Sequence, residues 1–261
     1  MYITYYHVDA FTDKLFSGNP AGVCLLDKWI TQKTMQGIAF ENNLSETAFV
    51  VPQGGAFGIR WFTPKVEVEL CGHATLATAH VIFHHTPFSG SVVDFRGLKG
   101  LLELRVEKQL ERLVLDFPAR LSKPCVPPIE LASGLGMPPV SVEYARSYMA
   151  IYHSAEDIRV LKPDMAVLGR LDKPVIVTAP GEEVDFVSRF FAPTEGVWED
   201  PVTGSSHCTL IPYWATRLGK TKLVARQISP RGGTLYCEFL GNRVKIGGEA
   251  VTYLTGQIQL P

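Results

Sequence analysis

Polar and apolar residues alternate along much of this chain, in short runs rich in β-branched and aromatic side chains. That period of two predicts strands over 2–8, 21–26, 46–51, 57–63, 91–97, 100–107 and 111–117. Leu101-Leu102-Glu103-Leu104-Arg105-Val106 and Arg112-Leu113-Val114-Leu115-Asp116-Phe117 flank a short polar turn, the pattern of an antiparallel hairpin. The second half repeats the habit over 142–152, 173–179, 186–192, 223–229, 234–240, 242–247 and 250–258. Turns at Arg231-Gly232-Gly233, Gly241-Asn242 and Gly247-Gly248 punctuate these runs. Few helical segments intervene, so the sheets are expected to be largely antiparallel.

Three stretches change period. Thr31 is a good N-cap for an amphipathic surface helix through Met35, Ile38 and Ala39 to about Asn42. The segment 73–84 has no sustained polar face, and 205–218 resembles it, so both are expected to be buried helices. Pro212 lies inside the second, where its missing N–H and its ring should kink or split the helix. The expected class is α+β: two similar halves, 1–117 and 118–261, each a curved antiparallel sheet wrapped around one central helix. The Pro-rich run from Pro118 to Pro128 is the expected linker, and the last strand is free to return to the N-terminal half.

The halves share more than a rhythm. Arg60-Trp61-Phe62-Thr63-Pro64 followed by Cys71-Gly72-His73-Ala74 is echoed by Arg189-Phe190-Phe191-Ala192-Pro193 followed by Thr203-Gly204-Ser205-Ser206. In each copy an aromatic strand ends in Pro, a loop with carboxylates follows, and a glycine opens a buried helix. Arg60 and Arg189 stand 129 positions apart, and Gly72 and Gly204 stand 132 apart. A period this long suits paired domains rather than a solenoid. Helix N-termini carry unpaired N–H groups and partial positive charge, so two of them lining one cleft would hold a carboxylate.

Composition narrows the function. The 261 residues are 46% hydrophobic and 20% charged with a net charge of −1, which argues against nucleic-acid and anionic-membrane partners. Five scattered cysteines without CxxC spacing predict neither a disulfide framework nor a structural zinc site. The N-terminus reads as a strand rather than a signal peptide, and no apolar run reaches the roughly 18 residues of a membrane span. A cytoplasmic location is the expectation. GxGxxG and GxxxxGK[ST] loops are both missing from the sequence.

Individual residues offer chemistry with plainer readings beside it. Glu46 enters an apolar strand, where partial burial would raise its pKa and suit a general acid/base; a solvated turn carboxylate would look the same. His73 begins a buried helix whose dipole opposes protonation, so it is either a neutral donor to substrate or a satisfied core histidine. Asp200 and Thr203 both stand where a helix cap is needed. Cys71 precedes a helix start, which favours a thiolate, but no local base accompanies it. His80, His84 and His85 lack the pattern of a metalloenzyme site and read as structural.

Five motifs in order, His7-Val8-Asp9-Ala10-Phe11-Thr12, Gly18-Asn19-Pro20-Ala21-Gly22-Val23, Asn43-Leu44-Ser45-Glu46-Thr47-Ala48-Phe49, Cys71-Gly72-His73-Ala74-Thr75 and Glu199-Asp200-Pro201-Val202-Thr203-Gly204-Ser205, resemble the PhzF-like family. The family takes its name from an isomerase of phenazine biosynthesis, and the stretches around His73 and Asp200 are most similar to its uncharacterised bacterial members. The resemblance implies the diaminopimelate-epimerase fold and a homodimeric isomerase that uses neither cofactor nor metal. It implies Glu46, His73 and Asp200 as catalytic residues. Gly72, Gly204 and Ser205 would anchor substrate at the two helix starts, with Ser45 and Asn19 as further substrate-binding positions. The implied reaction moves a proton at carbon on a small carboxylate-bearing substrate. Two other readings share this pocket: an amino-acid epimerase, and a binding protein without turnover. Two-thiol epimerisation is disfavoured because Cys71 stands at one helix start and Pro201 at the other.

Overall fold

The computed structural model describes residues 1–97 and 103–260. The chain begins with β1 (Tyr2–Ala10), β2 (Asn19–Leu25), α1 (Gln32–Asn42), β3 (Glu46–Gln53), β4 (Ala56–Phe62), β5 (Glu67–Val68) and α2 (Gly72–His85). Next come β6 (Val92–Arg96), β7 (Glu103–Gln109), β8 (Arg112–Pro118) and β9 (Lys123–Pro124). Then follow α3 (Ile129–Leu135), β10 (Ser141–Tyr144), β11 (Tyr148–Ile151), α4 (Ala155–Arg159), α5 (Met165–Leu168), β12 (Val175–Pro180) and β13 (Phe186–Phe191). The chain closes with α6 (Gly204–Leu218), β14 (Lys222–Gln227), β15 (Gly233–Phe239), β16 (Arg243–Gly248) and β17 (Ala250–Gln259). Two compact units result, one from residues 1–116 with 247–261 and one from 117–246. The first residues of the strand expected over 100–107 lie outside the described residues.

In the first unit β17 and β2 flank β1, both antiparallel. β2 pairs parallel with β3, β3 antiparallel with β4, and β4 parallel with β6. β6, β7 and β8 continue as an antiparallel meander. The second unit follows the same sequence: β10 with β11 antiparallel, β11 with β12 parallel, β12 with β13 antiparallel, β13 with β14 parallel, β14 with β15 antiparallel. Most pairings among the described residues are antiparallel, as expected, and the four parallel ones make the sheets mixed. Each parallel pair is joined through helix, namely α1, α2, α4 with α5, and α6, because parallel neighbours need a crossover.

α2 and α6 are the apolar helices expected from sequence. α2 buries His73 through Ala79 together with Val81 and Ile82, and packs against β1, β2, β3 and β17. α6 buries ten of its residues and packs on β14 and β15. It runs unbroken from Gly204 to Leu218 through Pro212, so the expected split does not occur. A proline at 212 deprives the Cys208 carbonyl of its intrahelical donor, and the backbone N–H of Arg120 takes that place at 2.9 Å. The first unit's core gathers Ile3, Cys24, Met35, Phe49 and Phe62; the second's gathers Leu131, Tyr152, Ile158, Val177 and Phe191.

Candidate active site

The elements entering each helix are held by a matching device. Arg60, on β4, places Nε and Nη2 on the two carboxylate oxygens of Glu67, both at 2.7 Å, with its guanidinium over the Phe62 ring. Arg189, on β13, does the same to Glu199 at 2.7 and 3.0 Å and lies over Phe191. Arg189 also donates to the Ile158 and Leu161 carbonyls. Two-pronged pairing of this kind fixes orientation as well as distance. It pins the loops that lead into α2 and α6.

Neither of those helices is capped by its N-cap side chain, Cys71 for α2 and Thr203 for α6. α1, α4 and α5 are capped in the ordinary way by Thr31, Ser154 and Asp164. An uncapped helix start presents donors and positive potential to a ligand.

In the first unit the chemistry converges at the start of α2. Glu46 is the first residue of β3, half-buried, and its Oε2 lies 3.3 Å from His73 Nε2. The two atoms are in ion-pair range but out of hydrogen-bond alignment. On the other side of the ring, His73 Nδ1 lies 3.3 Å from Asn19 Nδ2 and 3.4 Å from Cys71 Sγ. Asn19 opens β2 and is wholly buried. Gly18 before it has φ +68, and a Cβ there would stand 2.2 Å from the Ala10 carbonyl oxygen, so only glycine fits this turn. Ser45 and Gly72 are partly exposed beside Glu46 and His73 in sequence.

Burial drives the His73 pKa down to about 4, partly offset by the Pro20 carbonyl next to the ring, so the imidazole is neutral near pH 7. The sequence pointed to the helix dipole as the cause; desolvation is the larger effect. Glu46, Cys71 and His73 bring O, S and N atoms within 4.8 Å of one another, a donor set that a divalent transition metal accepts. The ring turns Nδ1 to the thiol and Nε2 to the carboxylate. The arrangement is a chain from thiol through imidazole to carboxylate.

In the second unit Thr203 Oγ1 donates to Asp200 Oδ2 instead of capping α6. Gln227, fully buried at the end of β14, clamps this loop: its Oε1 accepts from the Thr203 N–H at 2.9 Å and its Nε2 donates to the Asp200 carbonyl at 2.7 Å. Ser229 Oγ donates to the Pro201 carbonyl. Gly204 is buried and Ser205 exposed in the first turn of α6. His207 Nδ1 bonds the Thr203 carbonyl at 2.8 Å, and burial lowers its pKa to about 4. It repeats what Thr75 does in α2, where Oγ1 donates to the Cys71 carbonyl.

Gln227, which clamps the Asp200 loop, falls inside the strand expected over 223–229, so the periodicity alone does not distinguish it. His80 and His85 share the Thr252 hydroxyl, each Nε2 at 2.9 Å, and so tie α2 to β17, while His84 Nδ1 bonds the His80 carbonyl within α2.

Comparison with known proteins gives consistent results. A family described as phenazine biosynthesis-like protein matches residues 8–256. An uncharacterized isomerase of Pseudomonas aeruginosa is 53% identical, with all of both chains covered. A solved structure of a phenazine biosynthesis protein of the PhzF family from Enterococcus faecalis is 45% identical, covers all of both chains and superimposes with a TM-score of 0.97. A hydroxyproline epimerase from Agrobacterium vitis, 11% identical with a TM-score of 0.64, covers 98% of this chain and 92% of its own and shares the fold.

Proposed function

The chain belongs to the phenazine biosynthesis-like protein family, and from that premise we propose a cofactor-independent isomerase that transfers a proton at carbon, with Glu46 as general acid/base. The observation that carries the reading is the half-buried Glu46 carboxylate 3.3 Å from a buried, neutral His73 at an uncapped helix start. Curated relatives named as isomerases support the reaction class. The substrate in this reading is a small amino- or hydroxy-substituted carboxylic acid with an adjacent double bond.

Glu46 removes a proton from the carbon beside the unsaturation. The electron pair left behind delocalises toward the carboxylate, and a proton returns at a conjugated position. Backbone donors at Gly72 of α2 would anchor the carboxylate, with Ser45 beside Glu46 as an additional contact. His73 would orient a polar substituent and stabilise the delocalised charge, while a catalytic role for Asp200 rests on the family resemblance. Gln227 and Thr203 fix the Asp200 loop. The assembly is taken to be a homodimer, as the family resemblance implies.

The test is isotope exchange in heavy water. Wild type and Glu46→Gln are incubated with small unsaturated and amino carboxylic acids and followed by NMR. Deuterium should enter one carbon position with wild type, and exchange should fall at least about a hundredfold in the variant. Equal exchange by both proteins would exclude Glu46 as the base. A second reading, thiol-assisted epimerisation, draws on the Cys71 Sγ contact with His73 Nδ1 at 3.4 Å. Loss of exchange in Cys71→Ala, with Glu46→Gln still active, would select it.

A further inference from the structure

The family resemblance places Asn19 among substrate-binding positions, but its geometry gives it a different task. Its side chain is wholly buried, fixed behind the Gly18 turn, and directed at His73 Nδ1. An amide nitrogen can only donate, so the ring nitrogen it meets must accept. A neutral imidazole with an accepting Nδ1 carries its single proton on Nε2, the atom 3.3 Å from Glu46.

We propose that Asn19 is a positioning residue, which holds His73 in the Nε2–H tautomer so that an N–H, rather than a lone pair, faces the Glu46 carboxylate. The opposite tautomer would set a lone pair against an anion and repel it. With Nε2–H in place, the carboxylate is steadied when charged and has a neighbour that can rotate into hydrogen-bond alignment as the reaction proceeds. The Cys71 thiol, also beside Nδ1, can add a second donor to the same atom. Burial keeps the ring neutral near pH 7, so the choice between tautomers is meaningful there. The catalytic part of this inference rests on the reading of Glu46 as acid/base. The tautomer itself does not.

The experiment is long-range ¹H–¹⁵N NMR on protein labelled at histidine, with the His73 ring assigned by its disappearance in His73→Gln. Wild type should show a protonated Nε2 and a bare Nδ1. Asn19→Asp replaces the donor by a group that accepts when ionised, and the His73 proton should move to Nδ1. Cys71→Ala should leave it on Nε2, because the Asn19 amide suffices. In the heavy-water assay Asn19→Asp should lower exchange about tenfold or more. A wild-type ring protonated on Nδ1 overturns the proposal, and that spectrum needs no variant to fold. An unchanged tautomer in Asn19→Asp overturns it as well. So does a switched tautomer with undiminished exchange. Absence of exchange in wild type would instead count against the isomerase reading, since the tautomer is read without substrate.

Discussion

At the scale of single residues, the titration behaviour of the buried histidines is open to a direct check. An unfolded histidine has a pKa near 6.5, whereas burial holds His207 and His73 at about 4. Between those values the unfolded chain binds protons that the folded chain refuses. Stability is therefore complete above about pH 6.5 and is lost progressively as the pH falls toward 4, by about 3 kcal/mol per buried ring. Urea unfolding at pH 7.5 and pH 5 should show wild type losing more stability than His207→Gln over that interval; parallel losses would refute the assignment. Of the residues that the sequence marked, Glu46 and His73 come together because the first residue of β3 and the first turn of α2 are neighbours. Asn19 and Gln227 were not legible in the roles they take, because each is defined by partners 54 and 24 or more positions away in the chain.

Single elements show where local rules were sufficient and where tertiary partners overrode them. The Thr31 cap, the all-apolar α2 and the strand runs obey local periodicity, so sequence placed them to within a few residues. The run 142–152 divides into β10 and β11 because residues 145–147 turn, and parallel pairing escaped notice because short helices such as α4 leave a weak periodic trace. Pro212 illustrates the override. Because Arg120 already satisfies the Cys208 carbonyl, Pro212→Ala should alter stability by no more than about 1 kcal/mol, rather than recovering the ~3 kcal/mol usual for a helix-interior proline. A gain of the full amount in thermal unfolding would show that the Arg120 bond compensates little. The Arg–Glu forks should behave oppositely. Glu199→Ala leaves a largely buried guanidinium without its carboxylate and should cost about 2 kcal/mol after allowance for partial solvent screening. Glu156→Ala, at the exposed pair with Arg159, should cost less than about 1 kcal/mol. Equal losses would remove the forks from the list of devices that hold the two helix starts.

For the whole molecule, the duplicated order of pairings gives a firmer basis for two related units than the sequence echo alone. Antiparallel, parallel, antiparallel and parallel pairs recur in the same succession, each parallel pair spanned by helix, and each unit ends its second crossover in a glycine-started helix behind an Arg–Glu fork. The units differ in continuity. Residues 117–246 complete one unit in a single run, while the other must recover 247–261 after an excursion of that length. β17 runs along β1 from Tyr2↔Gln259 to Ala10↔Ala250, and Thr252 receives two histidines of α2. Deleting residues 249–261 should therefore expose one edge of β1 and unseat the far end of α2. Hydrogen exchange should then quicken in Tyr2–Ala10 and Gly72–His85, while Val175–Pro180 keeps its protection, because its ladder partners all lie within 117–246. Simultaneous loss of protection in both units would mean that they unfold as one cooperative body, and the contiguous unit could not then be treated as an independent folding element.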